Sequence, residues 1–110
     1  MKLSKLIDEL DLKVFSGENC LDREASGCYI GDLLSLAMSK AQEGNVWITI
    51  QTNINVAAVA ALTDAACVVI AESFEPDAAA LEKAKAENIV ILGSDKTAYE
   101  LAVKLFGAGI

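Results

Sequence analysis

The sequence contains no histidine and only three cysteines, and these shortages set its first limits. Without imidazole the usual zinc and non-haem iron constellations cannot be assembled, and no histidine can serve as a general base. Cys20, Cys28 and Cys67 are odd in number and show no CxxC spacing. That argues against a disulfide framework and for the reduced thiols of a cytoplasmic chain. Cys67, inside the apolar run Ala65–Ala71, reads as a small core residue, while Cys20 and Cys28 flank a polar loop. The motifs GxxxxGK(S/T), GxGxxG and GxSxG do not occur. Carboxylates are plentiful, but none is paired at a spacing that suggests acid–base work. The expectation is a chain that is not an enzyme and uses no cofactor and no metal.

Basic residues are also scarce. Nine Lys and Arg, forming no block, face sixteen Asp and Glu, for a formal net charge of −7. An acidic surface repels a phosphate backbone, so nucleic acid is not expected as a partner. Long apolar runs are missing too: Val56–Ala71 covers sixteen residues and is interrupted by Thr63-Asp64. A membrane span needs about 20. The opening stretch MKLSKLIDELDL carries Asp8 and Glu9 where a signal peptide needs an unbroken apolar region. No membrane partner is expected. The 110 residues, 54% hydrophobic, are enough for one domain, 1–110, and not for two.

What is present is organised around Asn45–Leu62. The β-branched run Val46–Ile50 gives way to the polar elbow Gln51-Thr52-Asn53, then Ile54-Asn55 leads into the alanine-rich run Val56–Leu62. This reads as strand, loop and helix, and in an open parallel sheet such an elbow lies at the carboxyl edge, where ligands bind. Upstream, Leu3, Leu6, Ile7 and Leu10 mark an amphipathic helix, and Lys13–Phe15 a short strand closed by Ser16–Asn19. A loop over Leu21–Gly27 enters a strand at Cys28–Ile30. Asp32 is the expected N-cap of a helix Leu33–Ala41 that buries Leu33, Leu34, Ala37, Met38 and Ala41, and Gly44 ends it. Downstream come a strand Cys67–Ile70, a helix from Pro76-Asp77 to Glu87, a strand Ile89–Leu92 and a helix Thr97–Phe106 capped by Gly93-Ser94-Asp95. Successive strand–helix units imply an α/β domain with a mainly parallel sheet of about 4–5 strands flanked by helices. The non-alternating runs VWITI, CVVI and IVIL suit strands covered on both faces.

Three clusters are candidates for chemistry. Gln51, Thr52, Asn53 and Asn55 offer neutral donors and acceptors at a helix start; they serve equally as caps or as a ligand site. Asp22-Arg23-Glu24 is either a solvated pair or a source of charge. Gly93-Ser94-Asp95 and Ser73–Asp77 occupy the corresponding places after later strands. None of these three strand-end loops carries Lys or Arg, so a polyphosphate there needs charge from Arg23 or from a second chain.

The segments Leu21-Asp22-Arg23-Glu24-Ala25-Ser26-Gly27-Cys28-Tyr29-Ile30-Gly31-Asp32-Leu33-Leu34-Ser35, Gly44–Asn55 and Gly93-Ser94-Asp95 resemble the DRTGG domain family. Asp22 and Arg23 match the name-giving motif, whereas Cys28 stands where one of its paired glycines is expected. The resemblance implies a regulatory domain like the amino-terminal domain of HPr kinase/phosphorylase and, more distantly, the first domain of Mur ligases. It further implies homodimers and, in some relatives, nucleotide-type ligands. It raises Asp22, Arg23, Gly27, Asp32, Gln51, Thr52, Asn53 and Asn55 as ligand-binding candidates, with the Asp22–Asp32 loop facing the Gln51–Asn55 elbow and Arg23 supplying charge. The function expected is a non-catalytic regulatory or ligand-sensing module for a nucleotide-type or other small anionic ligand. The competing expectation is an adaptor docked to a metabolic enzyme partner, such as a hydrogenase or an enzyme of acyl-phosphate metabolism. That adaptor would carry an apolar patch around Tyr29, Leu33 or Phe74.

Overall fold

A computed structural model describes residues 1–110. The β-branched runs form five strands: β1 (Lys13–Ser16), β2 (Cys28–Ile30), β3 (Val46–Thr49), β4 (Cys67–Ile70) and β5 (Ile91–Gly93). Five helices accompany them: α1 (Leu3–Leu10), α2 (Leu34–Lys40), α3 (Ile54–Thr63), α4 (Ala78–Glu87) and α5 (Ala98–Gly107). The strands lie side by side in the order β1-β5-β4-β3-β2. β2 to β5 run parallel in sequence order, and β1 joins β5 antiparallel.

That order determines the layers. Each crossover from β2 to β5 advances in the same direction, so right-handed connections deposit α2, α3 and α4 on one face. Period-two alternation then sends Trp47, Val68, Ile70 and Ile91 to that face, against Ala37, Val56, Ala57, Ala60 and Ala84. The alanines let these helices lie close to the sheet. The opposite residues, Val46, Ile48, Cys67, Val69 and Leu92, pack on Leu3, Leu6, Leu10, Leu101 and Leu105 of α1 and α5. Strands β3, β4 and β5 are buried along their whole length, as their unbroken apolar runs require. Trp47, fully buried, donates its indole N–H to the Gly31 carbonyl at 3.0 Å. Ile110 at the chain's end packs against the α1/α5 side of the core.

Several local expectations are corrected. Asp32 does not cap α2; the N-cap is Leu33, with no side-chain bond, because the Asp32 carboxylate is engaged on β3 instead. Of the five residues expected on the buried face of α2, only Ala37 is buried, while Leu33 and Met38 are exposed. α5 is capped not by Gly93-Ser94-Asp95 but by Thr97, in a reciprocal capping box with Glu100. Tyr29 is half-buried rather than part of an open patch. The large exposed apolar side chains cluster differently. Ile30, Leu33, Ile50 and Ile54, each 44–65% exposed, gather at the carboxyl end of edge strand β2 and its neighbour β3, and Tyr99, Val103 and Phe106 form a stripe along α5. No helix is long and apolar enough to cross a membrane.

Candidate ligand site at the carboxyl edge of the sheet

The carboxyl ends of β2 and β3 are joined by one polar network. Asp32 Oδ1 accepts from Thr49 Oγ1 at 2.9 Å and from the Ile50 backbone N–H at 2.9 Å. Gln51 Nε2 donates to the Asp32 carbonyl at 2.9 Å, and Gln51 Oε1 accepts from Asn53 Nδ2 at 3.2 Å. Asn53 Oδ1 in turn accepts from the Asn55 backbone N–H at 2.9 Å, so Asn53 is the N-cap of α3. Between the two possible caps, the geometry selects Asn53. The network binds the polar elbow to the end of β2 and leaves the side chains of Thr52 and Asn55 without protein partners. The Asp77 N–H donates to the Thr52 carbonyl at 2.9 Å, which ties the elbow to the loop after β4.

Further along the same edge the loops after β4 and β5 and the start of β1 line an open cavity of about 300 Å³. Asp11, Lys13, Phe15, Ser73, Phe74 and Asp95 are among its lining residues. Lys13 is there because β1 is antiparallel: its first residue pairs with Gly93, the last of β5. The edge therefore does carry a lysine, contributed by a strand that ends at the opposite side. Lys13 Nζ stands 4.9 Å above the centroid of the Phe15 ring, a cation–π arrangement. Phe15 is the extra residue of a β-bulge between Val14 and Ser16, and the bulge turns its ring over Gly93. A Cβ at Gly93 would lie 2.4 Å from Phe15 Cε2, so only glycine leaves the ring room.

The loop after β4 is held in an uncommon conformation. Glu72 and Ser73, neither a glycine, have φ of +62° and +63°. Such residues cost roughly 1 kcal/mol or more each and persist where surrounding contacts over-determine them. Here the Glu72 N–H donates to the Lys96 carbonyl at 2.9 Å, and the Ser73 N–H to the Ser94 carbonyl at 2.8 Å. The outcome is that Phe74, 51% exposed, stands at the mouth of the cavity.

The other sequence candidates lie elsewhere. Asp22, Arg23 and Gly27 precede β2, whereas Asp32 follows it. At about 3.3 Å per residue, the strand holds the two groups roughly 10 Å or more apart. Arg23 is committed to the amino edge. Its Nη1 donates to Asp64 Oδ1 at 2.8 Å and its Nη2 to the Asp64 carbonyl at 2.7 Å, closing the left-handed C-cap of α3. The expected facing of the Asp22–Asp32 loop and the Gln51–Asn55 elbow is thus corrected: only its Asp32 end meets the elbow. Gly27, with φ of +72°, turns beside Asn45, whose Nδ2 would be 2.9 Å from an added Cβ. Asp22 is exposed on the same side. A second cavity of about 340 Å³ adjoins Arg23 and Asp64, but its walls are mostly apolar and its one arginine is already paired.

Two of the three thiols, Cys28 and Cys67, are poor nucleophiles. Cys67 is fully enclosed; burial, with the neighbouring Cys28 adding, pushes it up to about 12. Cys28 keeps part of its surface in solvent, yet desolvation pushes its thiol up to about 11. Both flank Val46 in the sheet, two strand spacings or roughly 9.6 Å apart, beyond the reach of a disulfide.

No family model and no curated protein matches the sequence. Among solved structures, the chain is similar to the CBS and DRTGG domains of the regulatory region of Clostridium perfringens pyrophosphatase, a structure complexed with the activator diadenosine tetraphosphate. The two superpose with a TM-score of 0.76 at 13% identity, over 94% of this chain and 45% of that one. The chain therefore spans less than half of that structure's length. At this identity the likeness speaks for the fold alone: the fold is DRTGG-like.

Proposed function

We propose that this chain is a non-catalytic regulatory domain that senses a small, nucleotide-type molecule at the carboxyl edge of its sheet. The observation that carries the reading is the cavity of about 300 Å³ at that edge, the position where open α/β sheets take ligands. The likeness to a pyrophosphatase regulatory region crystallised with a nucleotide activator supports a regulatory role over a catalytic one. Asp32, Gln51 and Asn53 act here by fixing the elbow, and Thr52 and Asn55 are the free polar groups beside it. Binding, rather than turnover, is the output.

A thermal-shift screen of the chain against adenine nucleotides, nicotinamide cofactors, polyphosphates and simple metabolites tests this. Ligand at a hundredfold Kd stabilises the native state by about 2.7 kcal/mol. A saturable shift that survives Arg23→Ala but is lost in Phe74→Ala bears the reading out. A flat screen contradicts it.

Self-association through the rim Ile30, Leu33, Ile50 and Ile54 is the accompanying proposal, because β2 is an uncovered edge strand beside these exposed side chains. Sedimentation should give a dimer for the wild type and a monomer for Leu33→Asp; a wild-type monomer at 100 μM or so, where weak homodimers already assemble, would dispose of it.

A further inference from the structure

The cavity's lining narrows the class of ligand, an inference that rests on the sensing role proposed for this edge. Its charged groups are the carboxylates of Asp11, Glu75 and Asp95 against the single ammonium of Lys13, on a chain whose net charge is already −7. Lys13 Nζ is held over the Phe15 ring and makes no salt bridge with any of the three, which leaves the lining net negative. Asp95 has only a long contact to Lys96 Nζ, at 3.8 Å. Carboxylates accept hydrogen bonds and cannot donate them. A molecule that contacts these carboxylates must therefore bring N–H or O–H donors, and each phosphate it adds meets like charge.

Shape adds a second constraint. Phe74 presents half of its surface to solvent at the mouth of the cavity. It is placed there by two consecutive left-handed residues, Glu72 and Ser73, pinned to the Lys96 and Ser94 carbonyls. An exposed ring on a rigidly held turn offers a flat apolar face, which favours a planar partner. Phe15 supplies a second ring to the lining, fixed by its bulge and by the absence of a side chain at Gly93. The volume, about 300 Å³, stands at the lower end for small-molecule sites and suits one ring system with its sugar.

We infer that the cavity between the ends of β1, β4 and β5 takes a planar nitrogen heterocycle carrying N–H donors, a nucleoside by size, and binds the base and not the phosphate. Phe74 stacks on the ring, and Glu75 and Asp95 accept its N–H groups. Ser73, with its hydroxyl at the rim, and Lys13 supply donors for ring acceptors.

Calorimetric titration of the full chain with adenosine, guanosine and cytidine, and in parallel with ATP and inorganic tripolyphosphate, tests the inference at low salt. One nucleoside should bind at least about threefold more tightly than its triphosphate, and tripolyphosphate should not compete. Phe74→Ala, at an exposed position where folding is not at stake, should weaken the nucleoside about tenfold or more. The pair Glu75→Gln with Asp95→Asn should raise ATP affinity relative to adenosine, a change in ranking that loss of structure alone would not produce. Binding of ATP and tripolyphosphate in preference to nucleosides, unaffected by Phe74→Ala, would overturn the inference while leaving a sensing role in place. Absence of nucleoside binding alongside a positive shift from another metabolite would overturn it equally, whereas a wholly flat screen would remove the sensing role as well.

Discussion

Ser16 is fully buried, and its hydroxyl works twice at the bulge between β1 and β5. Oγ donates to the Ile89 carbonyl at 2.8 Å and accepts from the Ile91 N–H at 3.1 Å. It thereby replaces the ladder bonds that the extra residue Phe15 interrupts. Ser16→Ala deletes a single oxygen, so no cavity of consequence forms. What remains is a buried N–H and a part-buried carbonyl without partners, and an unsatisfied buried polar group costs about 1–3 kcal/mol. With the carbonyl partly reached by water, the sum is about 2–3 kcal/mol. At roughly 4 °C or more per kcal/mol for a domain near 100 residues, the melting temperature should fall by about 8 °C or more. Equilibrium urea unfolding followed by far-ultraviolet circular dichroism reads this as a lower midpoint with an unchanged slope. A loss below about 0.5 kcal/mol, the ordinary range of a neutral surface change, would refute the view that this hydroxyl holds β1 in register. The site depends on the same point, because the β1 register is what delivers Lys13 and Phe15 to the carboxyl edge.

Other perturbations test separate parts of the account. Gly93→Ala must displace the Phe15 ring and should cost about 1–3 kcal/mol in urea unfolding, with most of that cost absent in a Phe15→Leu background, where the clashing ring is gone. Arg23→Ala should lose about 1 kcal/mol or less, since both partners of its ion pair are partly solvated; added salt should shrink the difference, and ligand response should be untouched. Cys67 holds its proton in the folded chain up to about 12 against an ordinary 9.0, so the native state binds more protons above pH 9. Its contribution is complete below pH 9 and is lost as pH rises towards 12, with a slope approaching roughly 1.4 kcal/mol per pH unit, and Cys67→Ala should flatten the alkaline stability profile by that amount.

Most of the parallel core was legible because burial on both faces leaves a local trace. The runs at Val46–Thr49 and Cys67–Ile70 are apolar without alternation, and the alanine-rich stretch between them can only be a closely packed helix. Asp32 reads as the cap of α2, and only the family resemblance sets it beside the elbow; a cap and a cross-strand acceptor are the same residue type in sequence, so the brace it forms leaves no local trace. Arg23 was misplaced for a reason of distance. Nine positions separate it from Asp32, and only knowing that β2 runs between them puts the two at opposite edges. Lys13 was missed because the direction of an edge strand is not written in its own residues. Lys13-Val14-Phe15 reads alike as a parallel or an antiparallel strand, and the antiparallel choice alone brings a cation to the ligand edge.

Backbone amide chemical-shift mapping during titration with adenosine tests the central claim most directly. If the carboxyl edge is the sensing site, saturable shifts should centre on Ser73, Phe74, Glu75 and Ser94, reach Lys13 through the β1–β5 pairing, and leave Cys20, Arg23 and Asp64 still. Shifts centred instead on Cys20, Arg23, Ala65 and Ala66 at the amino-edge cavity would contradict it.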